Sequence, residues 1–140
     1  MAYSVQKVDV WMGTIKDRPG GLAEKLAPLS EAGANFEFVL ARRDKRNTGV
    51  FFVAPLLGSK VGRVAKALGL AKSDTLQAVR VEGPDKAGLG TTITCALADA
   101  GVNLRGLSAM AIGRKCVCYV AVDSKADALK ARNALKKALG

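Results

Sequence analysis

The chain has 140 residues, 49% of them hydrophobic, 24% charged and 5% aromatic, a balance that excludes a disordered tail, a collagen-like repeat or a disulfide-stapled miniprotein. Lys and Arg number 22 against 12 Asp and Glu, giving a net charge of +10, and there is no histidine. Histidine-based acid–base catalysis and histidine metal sites are therefore excluded.

Taken in chain order, Val5 to Ile15 reads as one strand with apolar residues on both faces: Val8, Val10 and Met12 against Trp11 and Ile15. Asp17-Arg18-Pro19-Gly20-Gly21 is a turn. Leu22, Leu26 and Leu29 follow at helical spacing, and Gly33 ends that helix. Pro28 removes a hydrogen bond and should kink it. Phe36, Phe38 and Leu40 alternate in a strand over 35–41, a polar hairpin spans 42–49, and 50–54 returns as a strand. Ser59 is the expected N-cap of a helix carrying Val61, Val64 and Leu68 and ending at Gly69. The order then repeats. A strand spans 76–83, a turn 84–90, and Ile93, Leu97 and Ala100 mark a helix. A strand over 103–112, a hairpin at Gly113-Arg114-Lys115 and a strand over 116–122 precede a last helix, capped by Asp123 or Ser124 and running to Leu139.

Residues 17–39 align without a gap on residues 85–107, pairing Asp17 with Asp85, Gly20 with Gly88, Gly33 with Gly101 and Asn35 with Asn103. The chain thus contains two copies of one β-α-β-β-α unit, residues 1–72 and 73–140, joined near Ser73–Thr75. The expected fold class is α+β: two ferredoxin-like sandwiches of βαββαβ type, each an antiparallel sheet with helices on one face. The segment 76–83 must close the first copy, open the second, or do both. Nothing after Leu139 supplies a closing strand for the second copy, so that edge is expected to be short or borrowed.

Asp17-Arg18-Pro19-Gly20-Gly21-Leu22, followed by a helix ending Glu31-Ala32-Gly33-Ala34-Asn35, resembles an ACT domain. Asp85-Lys86-Ala87-Gly88-Leu89 with Asp99-Ala100-Gly101-Val102-Asn103 repeats the resemblance, so that together the two cover nearly the whole chain. The second copy departs from the pattern at Ala87, in place of Pro19, and at Gly90, in place of Leu22. The resemblance implies a regulatory, allosteric protein that binds a small molecule, most often an amino acid, and acts on a separate enzyme or regulator chain. It also implies ligand sites at interfaces, between the turn of one unit and the second strand of its neighbour. On that basis the candidate ligand-binding residues are Asp17, Arg18, Pro19, Gly20, Gly21 and Leu22 with Asn35 and Phe36. Their second-copy counterparts are Asp85, Lys86, Ala87, Gly88 and Leu89 with Asn103 and Leu104.

The chemistry of these residues fits a zwitterion. A turn that delivers the backbone to a helix N-terminus offers N–H groups and a positive dipole end to a carboxylate. Gly20 and Gly21 permit close approach. Asn35 offers a donor and an acceptor together. Each residue also has a plainer reading: the glycines serve any tight turn, the asparagines satisfy local backbone, and Asp17 and Asp85 cap helices. Trp11, Phe36, Phe38, Phe51 and Phe52 read as core or interface. Units of this size bury little surface alone, so they are expected to dock through their sheets and the chains to form homodimers.

No catalytic pair, dinucleotide fingerprint or phosphate loop is present, so no enzyme activity and no cofactor are expected. Cys116 and Cys118 share one strand face, cannot easily bridge, and are too few to make a metal site; Cys95, mid-helix, reads as a small core residue. Reduced thiols, the absence of a secretion signal and an apolar run no longer than residues 50–57 point to a cytoplasmic protein without a membrane partner. The rival reading is RNA binding through a ferredoxin-like sheet of RRM type. Its basis is the basic hairpin residues Arg42, Arg43, Lys45 and Arg46, with Arg114 and Lys115, and a faint aromatic strand motif at Thr48-Gly49-Val50-Phe51-Phe52-Val53.

Overall fold

The computed structural model describes residues 2–72 and 77–140. The expected junction at Ser73–Thr75, and Leu76, lie outside the described residues. The chain forms two compact units: a continuous one, Asp9–Ser73, and a two-segment one, Met1–Val8 with Asp74–Gly140.

The continuous unit contains β2 (Trp11–Lys16), α1 (Ala23–Glu31), β3 (Phe38–Arg43), β4 (Thr48–Ala54), α2 (Ser59–Ala67) and the short β5 (Ala71–Lys72). Its antiparallel sheet has the order β3-β4-β2-β5. Trp11 and Ile15 of β2 share a face with Phe51 and Val53 of β4, and this face packs on Leu29 of α1 and on Val61 and Ala65 of α2. Gly13 lies opposite Phe51, where a Cβ would meet the ring at 2.6 Å. Lys72 closes the far edge, 6.0 Å from the Trp11 ring centroid and 3.7 Å from the Asp9 carboxylate.

The two-segment unit contains β6 (Gln77–Pro84), α3 (Leu89–Asp99), β7 (Gly106–Ile112), β8 (Lys115–Val122) and α4 (Lys125–Leu139). Its sheet has the order β1-β6-β8-β7, completed by β1 (Ser4–Val8), which runs antiparallel to β6 from Ser4 opposite Glu82 to Val8 opposite Ala78. The edge is therefore borrowed, and its source is the chain's own beginning. Val5, Val79, Val81, Cys118, Val120 and Val122 face Ile93, Leu97, Ala128, Ala131 and Leu135 of the helices in one core.

This arrangement corrects the strand drawn over 5–15. It is two strands, β1 and β2, in two different sheets, broken at Asp9 and Val10. The apolar residues on both sides of 5–15 thus record two short strands, each with its own core face. It follows that Ser4–Val8, expected in the first unit, pairs with the second. The strand from Gln77 only opens the second unit, while β5 closes the first.

Three helices end alike. Gly33, Gly69 and Gly101 each have positive φ, and the following amides of Ala34, Leu70 and Val102 donate to Leu29, Ala65 and Leu97 carbonyls at 2.9–3.0 Å. Ser124 caps α4 by accepting from Asp127 N–H at 3.0 Å. Ser59 does not cap α2; Gly58 holds that place and Ser59 is the first helical residue. Pro28 stays within α1, where its carbonyl accepts from Ala32. The first hairpin is tighter than expected, because Arg42, Arg43, Thr48 and Gly49 are already paired in strands. Cys95 is exposed rather than core.

Two consequences are measurable. Val5→Asp should abolish amide-exchange protection along β6 while β2 and β4 keep theirs, because Val5 belongs to the two-segment core alone. Burial, and secondarily the neighbouring Cys116, pushes the Cys118 thiol from 9.0 up to about 11. The folded state therefore holds that proton where the unfolded chain releases it. The resulting stability is fully present below pH 9 and lost as pH rises towards 11. Urea titrations across that window should show a steeper decline in the natural protein than in Cys118→Ala.

Candidate functional site

The two strand-to-helix corners share one backbone design. Asp17 N–H donates to Asn47 O at 3.1 Å, and Asp85 N–H to Arg114 O at 2.8 Å, so each corner is tied to the hairpin of its own sheet. Gly21 N–H donates to Arg18 O at 3.0 Å, and Leu89 N–H to Lys86 O at 3.1 Å. Glu24 N–H reaches Gly20 O at 3.0 Å, and Thr92 N–H reaches Gly88 O at 2.9 Å. Gly20 and Gly88 take φ of +85° and +86°, a conformation that only glycine adopts without strain. Three backbone hydrogen bonds of the corner are thus duplicated despite Ala87 in place of Pro19, while the Arg18 N–H to Lys16 O bond belongs to the first corner and α1 begins two aligned positions later than α3.

No side chain caps α1 or α3. The capping role expected of Asp17 and Asp85 is not taken up. Asp17 instead accepts from Arg43 Nε at 3.2 Å, and Arg18 pairs with Glu24 at 2.7 Å. Each helix N-terminus is therefore left without a side-chain cap, although Glu24 stands in the first turn of α1, while Asp17, Arg18, Pro19 and Gly20 are exposed, as are Asp85, Lys86, Ala87 and Gly88. Gly21 is buried, and a Cβ there would strike the Lys16 carbonyl. Leu89, its counterpart, sends its side chain into the core, and Leu22, Phe36 and Leu104 also pack against the cores. Leu89 is buried, and the other three are partly buried.

Asn35 and Asn103 are exposed and lie in the loops between the helix-ending glycines and β3 or β7, which begin at Phe38 and Gly106; they are not the first strand residues. Within one unit each asparagine is separated from its corner by the length of a helix. Nine residues of α1 span about 13 Å at 1.5 Å per residue. A single unit therefore does not bring Asn35 and residues 17–21 onto one small ligand.

Sequence reasoning missed the residues that hold the corners: Asn47, Arg43 and Arg114. Asn47 carries φ of +63°, and an asparagine just before Thr48-Gly49 was the available signal for that turn. Nothing in the sequence marked Arg43 as the partner of Asp17, since that contact depends on strand register.

The RRM-type reading needs aromatic side chains open on the sheet face away from the helices. Phe51 is in the core. On the opposite face of β4, Val50 and Ala54 are 6% and 1% exposed, and Phe52 between them is half-buried. Tyr119 is also buried, with its hydroxyl accepting from Arg80 Nε at 3.2 Å. No group of three or more metal-ligating side chains is found among the described residues, and none of the helices is long and apolar enough to cross a membrane.

Gly21→Ala should cost about 1–3 kcal/mol in urea unfolding because the added methyl meets backbone. Gly90→Ala, whose methyl meets nothing in the first turn of α3, should stabilise by up to about 1 kcal/mol.

No family model matches the sequence, and no curated protein matches it. Solved structures do. Protein BT0572 from Bacteroides thetaiotaomicron has a TM-score of 0.75 at 18% identity, over 98% of this chain and 90% of that one. The ligand-free regulatory subunit of aspartate kinase from Thermus thermophilus has a TM-score of 0.66 at 14% identity, over 100% and 98%. Aspartate kinase from Clostridium acetobutylicum has a TM-score of 0.64 at 16% identity, over 99% of this chain and 34% of its own length. At such identities the likeness is one of fold: this chain has the two-unit α+β fold of those structures.

Proposed function

We propose that this chain is a regulatory protein that binds an amino acid at its corners and transmits the binding to a separate enzyme or regulator chain. The observation that carries the reading is the duplicated corner. The same three backbone hydrogen bonds and the same positive-φ glycine present an exposed helix start, uncapped by any side chain, in both units. Such a start favours a carboxylate. The matched structures include a regulatory subunit and a kinase described as allosteric, which supports a regulatory role.

The second half of the site comes from another copy of the chain. β7 is an edge strand with no charged residue in Gly106–Ile112, and Met110 and Ile112 are 70% and 78% exposed. An apolar edge of this kind is a template for pairing. Antiparallel pairing of β7 with β7 of a second copy sets the beginning of one strand beside the end of the other. Asn103 precedes the beginning; the hairpin that holds Asp85 follows the end. Pairing therefore carries Asn103 of one copy towards the corner of its partner, and β3, with Asn35 before it and Asn47 after it, has the same layout. The α-carboxylate then meets the helix start and the α-ammonium meets the asparagine carbonyl.

Thermal-shift measurements with each of the twenty amino acids test the reading. At a hundred times the dissociation constant, the bound one should stabilise the protein by about 2.7 kcal/mol. Asn35→Ala and Asn103→Ala, both exposed, should together abolish the shift while leaving the unliganded melting temperature unchanged. No shift with any amino acid would end this reading.

A further inference from the structure

A groove of about 600 Å³ lies at the end of β6 in the two-segment unit, lined by Tyr3, Ser4, Glu82, Gly83, Arg114 and Lys115 among others. That volume falls within the range of small-ligand sites. Its floor is fixed. The Tyr3 ring occupies the space a Cβ of Gly83 would need, and the Tyr3 hydroxyl donates to Pro84 O at 2.8 Å. One wall is Ala2, Tyr3 and Ser4, leading into β1; the other is the hairpin pair Arg114 and Lys115.

The charges in the groove do not cancel. Neither Arg114 nor Lys115 makes an ion pair or side-chain hydrogen bond among the described residues. Glu82, the acidic lining residue, is taken by Arg80 at 2.8 Å, whose hydrogen bond and charge hold its carboxyl below the usual range. A carboxylate held by Arg80, and beyond ion-pair distance also by Lys115, has little left for a ligand ammonium, whereas two adjacent cations outside any ion pair suit an anion. The continuous unit lacks a flanking strand at the equivalent place. Its hairpin carries Lys45 and Arg46, but β5 pairs only with Trp11 and Met12 and leaves the end of β2 without a flanking wall. The groove is thus a product of the borrowed strand.

We infer that this groove binds a compact multivalent organic anion, of the di- or tricarboxylate class, between Arg114 and Lys115 on one side and the β1 end on the other. The site is separate from the amino-acid reading above and stands or falls without it. Because the Arg114 carbonyl holds Asp85 N–H at 2.8 Å, an anion fixed on this hairpin also steadies the second corner.

The test uses the full chain and citrate, with sodium chloride at matched ionic strength and inorganic phosphate as comparisons. Citrate should raise the melting temperature by several degrees beyond the chloride effect. Arg114→Gln with Lys115→Gln should weaken citrate binding about tenfold or more, since two charge-assisted contacts are lost. Lys45→Gln with Arg46→Gln, the same charge change on the other hairpin, should leave it intact, as should Asn35→Ala with Asn103→Ala. Ser4→Glu, which sets a carboxylate in the opposite wall beside Glu82, should also block citrate and covers the case in which the double variant is unstable. Phosphate matching citrate would assign the site to phosphate-type anions and overturn the carboxylate class. No effect beyond chloride, or equal loss in both hairpin variants, would overturn the site itself.

Discussion

Five residues of backbone pairing hold this architecture together. The ladder between Ser4–Val8 and β6 gives the two-segment sheet its fourth strand and buries Val5 beside Val79 and Val81. Without it β6 would be an unpaired edge carrying buried valines, a poor ending for a sheet whose helices cover only one face. The continuous unit needs no such loan, because its chain runs through α2 directly into β5. The asymmetry has a structural result: the extra length of β1 over β5 flanks the end of β6, whereas β5 reaches only Trp11 and Met12 of β2.

The corners show how little side-chain chemistry a repeated feature requires. Pro19 and Ala87, or Gly21 and Leu89, differ in almost everything except the backbone they support. What recurs is the glycine at positive φ, the amide tied to the hairpin and the carbonyl that opens the helix. The exposed side chains around each corner are what set the two apart, Arg18 and Asp17 in one and Lys86 and Asp85 in the other.

Much of this was legible in the sequence because its determinants are local. Gly33, Gly69 and Gly101 mark helix ends where only glycine is comfortable, and the gapless alignment of 17–39 on 85–107 reveals the duplication. The matched corners followed from the same local signals. What stayed hidden was non-local. No pattern in 5–15 says that the chain changes sheets at Asp9, since two short strands in register look like one long one. Asp17 looked like a cap because caps are local, yet its partner Arg43 is brought to it by strand pairing. Cys95 sits at a position where a helix stripe and a solvent face are hard to tell apart, and the structure turns it outward.

The loan of β1 also orders events in time. A nascent chain makes Ser4–Val8 before the continuous unit, but Glu82, the partner of Ser4, emerges only after that unit has been synthesised. The continuous unit can close on its own as soon as β5 is out. The opening strand waits, unpaired and carrying Tyr3 and Val5, until β6 follows, and β8 must still arrive to cover the other side of β6. β6 is thus sealed by a strand made before the continuous unit, and the interval between them is set by the length of the unit in between.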